Sequence, residues 1–292
     1  MNKILLTGFT GFTGKYILQE AANLGFDIAC LSEDGTPQSN SVNLMDYASV
    51  KEKVREIRPS SLIHLAAVSH VQHVPASDFY SINIGGTRNL LQALEELPHP
   101  NYINNVFASS ANVYGNSRMI ELSEDTPLNP VNDYGLSKKC MEELLSLWKG
   151  KIPITITRPF NYTGVGQSEN FLIPKIVAAF RKRKASLELG NLEVSRDFSD
   201  VRFIAKAYLT LATQTSRFES INLCSGKLTS ISKLIEILSA LTQHDLQINT
   251  NPLFQRKDEI LELKGNPHRM AQILGYTSPY SLEETLSWML ST

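Results

Sequence analysis

The sequence predicts an α/β fold, a doubly wound parallel sheet with a smaller C-terminal lobe, and three observations carry that prediction. Apolar runs of strand length alternate with amphipathic helical stretches through the first half of the 292 residues, the order that gives a parallel sheet covered by helices on both faces. Three glycines, Gly8, Gly11 and Gly14, follow the first apolar run and open a helical stretch. Beyond about residue 160 the alternation loosens into loops rich in Gly, Asn and Ser.

Element by element, "KILLTG", "FDIACLS", "SLIHLAA", "INNVFASS" and "PITITRPF" read as buried strands. Between them "TGKYILQEAANLG", "YASVKEKVREIR", "INIGGTRNLLQALEEL" and "YGLSKKCMEELLSLW" carry helical periodicity. Later helices are expected at "FLIPKIVAAF", "TSISKLIEILSAL" and "SLEETLSWML". With 28 basic against 29 acidic residues, no net field draws the chain to nucleic acid or an anionic membrane, so recognition must come from a local site. The basic run Arg181 to Lys184 reads as the solvated C-terminus of a helix, where cations suit the dipole. Cys30, Cys140 and Cys224 lack metal-ligand spacing and are odd in number, which fits packing residues in a reducing compartment. No signal peptide and no spanning run is read, so a cytoplasmic protein is expected.

The segment "TGFTGFTGKY" supplies the first chemistry. Glycines between a strand and a helix let the backbone turn sharply and approach a pyrophosphate, whose charge rests on the helix N-terminus. The sheet is thus Rossmann-type. Residues 1–160 are expected to form a dinucleotide-binding domain to which later segments return, and 161–292 mainly a substrate-binding lobe. An acidic residue after the second strand would hold the ribose 2′-hydroxyl of NAD. Glu33 stands near that place, and reads equally as a solvated loop carboxylate. No Lys or Arg occurs between Lys15 and Lys51, which favours NADH over NADPH.

In "YGLSK" Tyr134 and Lys138 lie one helical turn apart on one face. A phenol titrates near ~10, and a neighbouring ammonium favours its phenolate and makes it a better acid-base group. That spacing alone is common on solvated helix faces. The upstream "FASSANVYG" changes the reading: a strand runs into Ser109 and Ser110, and catalytic groups in such sheets collect at strand carboxyl ends.

Taken together, "TGFTGFTG", "VNLMD", "LIHLAA", "NIGGTRNLLQA", "SSANVYG", "YGLSK", "RPFNYTGVGQ" and "SRDFSDV" resemble, in order and spacing over essentially the whole chain, the extended short-chain dehydrogenase/reductases, the sugar-nucleotide epimerase, dehydratase and reductase group. The resemblance implies Ser110, Tyr134 and Lys138 as a catalytic triad. Around the cofactor it implies Gly8, Gly11, Phe12, Thr13 and Gly14, then Asn43 and Leu44 near the adenine, Leu65, Ala66 and Ala67 along the cofactor, and Phe160. Asn83 is implied as a supporting residue of the active site. Pairing of the two long helices "NIGGTRNLLQALEEL" and "YGLSKKCMEELLSLW" into a homodimer contact is implied as well.

Departures from the family's motifs narrow the reaction. Dehydratases of the group carry an acid-base pair where Ala111 and Asn112 stand, so dehydration is disfavoured. "RPFNYTGVGQ", "ELGNLEVSRDFSDV" and the short link before "VNLMD" most resemble 4-keto-6-deoxyhexose reductases. On that resemblance Asn161, Arg196, Arg256 and Glu259 meet the substrate, the arginines clamping its pyrophosphate. The expectation is NAD(P)H-dependent reduction of the C4 ketone of a GDP- or dTDP-linked 4-keto-6-deoxyhexose, in surface polysaccharide sugar biosynthesis. "SSANVYG" also resembles the 4-epimerases, which stay open as the alternative. A non-catalytic NAD(P)-sensing protein is a third reading, against which the intact Ser, Tyr and Lys set argues.

Overall fold

The structure, a computed structural model, describes residues 3–32, 39–68, 75–98, 102–117, 119–215, 219–254 and 260–292. Its contacts divide the chain into two compact units. One comprises 1–115, 127–159 and 205–221, the other 116–126, 160–204 and 222–292.

In the first unit β1 (Lys3–Thr7), α1 (Phe12–Leu24), β2 (Asp27–Ser32), β3 (Ser39–Ser41), α2 (Tyr47–Ile57) and β4 (Ser61–His64) follow one another. Then come α3 (Ala76–Tyr80), a π-helical turn Ser81–Gly86, α4 (Thr87–Glu95), β5 (Asn104–Ala108), a 3-10 turn Ala111–Tyr114, α5 (Asp133–Ser146) and β6 (Ile154–Pro159). With β10 (Glu219–Leu223) these strands form a seven-stranded sheet in the order β10-β6-β5-β4-β1-β2-β3. The pairs β2–β3, β1–β2, β1–β4, β4–β5 and β5–β6 are all parallel. Their apolar runs are explained by burial on both faces: Leu5 packs into the core shared with α2, α4 and α5, while Ile4 and Leu6, pointing the other way, are also fully buried.

Two differences from the sequence reading stand out. β3 pairs with β2 just before "VNLMD", where only a short link was expected. The helix expected over "INIGGTRNLLQALEEL" is two pieces, because a π turn precedes α4. Within it the Thr87 hydroxyl donates to the Asn83 carbonyl at 2.7 Å, a side chain entering the backbone ladder.

The second unit holds β7 (Asn161–Thr163), α6 (Leu172–Arg181), β8 (Ser186–Leu189), β9 (Ser195–Asp200), β11 (Leu228–Ser230), α8 (Ile231–Thr242), β12 (Gln247–Thr250), β13 (Glu262–Leu263), α9 (His268–Leu274) and α10 (Leu282–Leu290). Helix α7 (Val201–Thr213) begins in this unit and continues into the first. β9 pairs with β7, β11 and β13, and β8 with β12. Helices α6, α8 and α10 share a core through Ile176, Phe180, Leu234, Leu238 and Leu286. Arg202 pins the C-terminal helix: it makes two bonds to the Asp200 carboxylate, at 3.0 and 2.7 Å, and lies 3.9 Å from each ring centre of Tyr280 and Trp288. The basic run 181–184 is exposed at the end of α6. No helix among the described residues is long and apolar enough to cross a membrane, and no cluster of three or more metal-ligating side chains occurs among them.

Candidate active site

Three adjacent parallel strands, β5, β4 and β1, end at one edge of the first unit's sheet, and the candidate residues follow directly from those ends. After β1 the chain turns at Gly8, whose φ of +73° favours glycine; a Cβ there would lie 2.7 Å from the Ala66 nitrogen. Gly8 thereby packs against Leu65 and Ala66, which follow β4. α1 starts at Phe12 with Gly11 as a cap that offers no side-chain bond and with no acidic residue in its first turn. Thr13 and Gly14 are buried in that turn. Its leading N–H groups therefore carry the helix's positive end without a side-chain anion. Asn43 and Leu44 precede α2: the Asn43 side chain accepts from the Met45 N–H at 2.8 Å, and the Leu44 carbonyl accepts from Asn89 at 2.9 Å.

Behind the loops runs a buried hydrogen-bond chain. His64, at the end of β4, bonds through Nδ1 to Thr7 at 2.7 Å and through Nε2 to Thr87 at 3.0 Å. Thr87 already donates its one proton to the Asn83 carbonyl, so it accepts from Nε2–H, and Nδ1 accepts from Thr7. Burial, with a smaller contribution from the Lys138 charge, holds the His64 imidazole down to about 3, hence neutral. Asn83 grips the Val68 N–H at 2.9 Å and the Val68 carbonyl at 3.3 Å, and donates to Ser137 Oγ at 3.1 Å. Ser137 in turn donates to the Tyr134 carbonyl at 2.8 Å. The first β-strand is thus linked to the tyrosine helix through His64 and the π turn.

After β5, Ser110 caps the 3-10 turn, and its Oγ accepts from the Asn112 N–H and Nδ2. α5 begins at the Asn132 cap, whose side chain accepts from the Gly135 N–H at 2.8 Å. Tyr134 therefore sits in the first turn, edge-on to Phe79 with ring centres 6.1 Å apart. One turn on, the buried Lys138 Nζ donates to the Ala108 carbonyl at 2.7 Å, next to the serines. Burial pulls this ammonium down to about 8 against the opposing Glu142 carboxylate. Glu142, a further turn along, pairs with Arg158 at 2.7 Å and accepts from Ser109 Oγ at 2.5 Å, while Arg158 reaches Tyr114 Oη at 3.0 Å. This ion pair, 7% exposed on each side, fastens both ends of the serine turn.

In the second unit Phe160 is buried, bonds the Leu223 carbonyl through its N–H and packs on Gly265. Asn161 is exposed on β7. Arg196, on β9, donates from Nη1 to the carbonyls of Ser195 and Leu261 at 2.9 and 3.2 Å. Its neighbour Asp197 accepts from the Ser225 N–H and Oγ and from the Gly226 and Gly265 N–H groups. Glu33, Arg256 and Glu259 lie outside the described residues. Sequence reasoning missed His64, Glu142, Arg158 and Asp197. The i, i+4, i+8 spacing of Tyr134, Lys138 and Glu142 is a signal for Glu142 alone.

The family model described as "NAD dependent epimerase/dehydratase family" matches residues 4–224. The chain is 34% identical over 276 residues to a GDP-6-deoxy-D-talose 4-dehydrogenase of Aggregatibacter actinomycetemcomitans, covering 94% of this chain and 91% of that one. It is 30% identical over 301 residues to a GDP-6-deoxy-D-mannose reductase of Pseudomonas aeruginosa, covering 99% and 96%. Among solved structures, RMD from Pseudomonas aeruginosa complexed with NADPH superposes with a TM-score of 0.87 at 28% identity, over 100% of this chain and 98% of that one. With a family model covering most of its length and relatives matching nearly end to end, the chain belongs to the NAD-dependent epimerase/dehydratase family.

Proposed function

We propose that the protein reduces, with a nicotinamide cofactor, the C4 ketone of a nucleotide-linked 4-keto-6-deoxyhexose, GDP being the favoured nucleotide. The observation that carries the reading is that α5, which bears Tyr134 and Lys138, is held against the Ser110 turn, by Lys138 on the Ala108 carbonyl and by the close approach of Gly135 to the Asn112 carbonyl. The names of the two curated relatives support the substrate class, since both refer to GDP-linked 6-deoxyhexoses. Those two sugars are C4 epimers of one another and yield the same 4-ketone on oxidation.

A dinucleotide fits the residues present. The tight turn at Gly8, packed on the Ala66 backbone with no room for a side chain, and the start of α1 with no side-chain cap suit a pyrophosphate. When bound, the nicotinamide supplies the hydride. The chain's own residues do the rest. Ser110 hydrogen-bonds the C4 oxygen and Tyr134 gives it the phenolic proton as negative charge develops. Lys138, held by the Ala108 carbonyl, keeps two further N–H bonds for the ribose and its charge for the phenol. Leu65, Ala66 and Ala67 line the cofactor, with Asn43 and Leu44 near the adenine and Phe160 among the cofactor-binding residues. Asn161, Arg196, Arg256 and Glu259 take the sugar nucleotide. The absence of Lys and Arg between Lys15 and Lys51 favours NADH, whereas RMD was solved with NADPH.

The test mixes protein, NADH or NADPH, and enzymatically prepared 4-keto-6-deoxyhexoses linked to GDP and to dTDP, and follows absorbance at ~340 nm. Stoichiometric loss with one pair is the expected result. No loss with any pair, together with epimer interconversion without added cofactor, moves the assignment to the 4-epimerase, which the serine motif also resembles.

A further inference from the structure

A hydroxyl group has one proton to donate and two lone pairs with which to accept. At Ser110 both accepting positions are filled by a single residue: the Asn112 backbone N–H at 3.2 Å and the Asn112 side-chain Nδ2 at 3.1 Å. Among the described residues nothing accepts the Ser110 proton. We propose that Asn112 is a positioning residue that makes Ser110 an obligate hydrogen-bond donor toward the substrate oxygen.

The turn that holds this arrangement is fixed from both sides. The Val113 N–H bonds the Ser110 carbonyl at 3.2 Å and the Gly115 N–H bonds the Asn112 carbonyl at 3.3 Å. The same Asn112 carbonyl lies so close to α5 that a Cβ on Gly135 would stand 2.7 Å from it. Gly135 follows Tyr134 directly, so the residue that orients the serine also sets its turn against the tyrosine's helix. A carbonyl or developing alkoxide at C4 needs donors, and a serine free to rotate would spend part of its time presenting a lone pair to that oxygen. With both lone pairs occupied it cannot.

The inference rests on the reading of Ser110 as the group that polarises the C4 oxygen, and Ser110→Ala tests that reading separately. The discriminating variant is Asn112→Asp, which keeps the shape and inverts the polarity. Its carboxylate only accepts, so it draws the Ser110 proton inward and places a negative charge beside the developing alkoxide. The expected result is a fall in kcat of about 100-fold or more, with KM and cofactor affinity nearly unchanged, and recovery of kcat as the pH is lowered enough to protonate the carboxylate. Asn112→Ala, which leaves the backbone donor in place, is expected to lose only about tenfold. Cofactor binding and the urea midpoint of each variant show that it is folded. If Ser110→Ala loses turnover while Asn112→Asp is no worse than Asn112→Ala and shows no acid recovery, the positioning role is overturned and the reading of Ser110 stands. If Ser110→Ala turns over like the wild type, both fall.

Discussion

The neutral His64 makes a pH prediction whose size follows from its surroundings. A histidine in the unfolded chain titrates near ~6.5, whereas burial holds the folded His64 down to about 3. Below the unfolded value the unfolded chain takes up a proton that the folded protein refuses. Stability is therefore fully present above that value and is lost as the pH falls from about 6.5 towards 3. Linkage gives a loss of about 2 kcal/mol between pH 7 and pH 5 from this one group. The perturbation is His64→Asn, which removes the titration while leaving a small polar group beside Thr7. Urea unfolding of both proteins at pH 7 and pH 5 isolates the contribution, since the remaining groups titrate alike in each. The variant is less stable at pH 7, because the bond to Thr87 is lost, but its further loss on going to pH 5 is smaller than the wild type's by about 2 kcal/mol. Equal losses in the two proteins refute the neutral, doubly bonded histidine.

Removing one partner of the buried Glu142–Arg158 pair, as in Glu142→Ala, strands a guanidinium and is expected to cost about 3–5 kcal/mol in urea unfolding. The double replacement Glu142→Leu with Arg158→Met costs less than that single change, and a larger cost contradicts the account. Gly8→Ala forces a side chain to a φ of +73° and against Ala66; cofactor affinity, read by nicotinamide fluorescence, drops by about tenfold or more. In the proposed mechanism a charged Lys138 favours the phenolate, and burial holds its ammonium at about 8, so kcat/KM is expected to decline as the pH rises through that region. An alkaline limb near ~10.5, the value of an unburied lysine, contradicts this.

How much of this could be read from the chain depended on whether a feature leaves a periodic trace. The strands β1, β2, β4, β5 and β6 are buried on both faces, so they read as unbroken apolar runs, and the helices between them show their amphipathic spacing. Most of the second unit's strands, such as Ser186–Leu189 and Gln247–Thr250, are partly exposed and form no unbroken apolar run, so the sequence reading identified none of them. That residues 116–126 belong with 160–204 and 222–292 is a matter of long-range packing with no local signature. A π turn is equally invisible, since it differs from an α-helix by one added residue in the ladder. In the candidate site, Ser110, Tyr134 and Lys138 were legible because motif and spacing point at them. His64 was not: a single polar residue inside "SLIHLAA" resembles an interruption of a strand, and only the partners at both ring nitrogens give it a role. Glu142 and Arg158 are charged residues that a linear reading assigns to solvent, whereas the fold buries them against each other.

In the proposed reaction hydride passes from exchangeable nicotinamide cofactor to C4 of the sugar. The direct measurement supplies NADH or NADPH deuterated on the transferred face at the nicotinamide C4, with GDP-4-keto-6-deoxymannose as substrate, and analyses the product sugar by NMR and mass spectrometry. One deuterium per product molecule is expected, located at C4 of a 6-deoxyhexose, and it disappears in Tyr134→Phe although that protein still binds cofactor. A product without deuterium, or undiminished turnover in Tyr134→Phe, contradicts the proposed reaction.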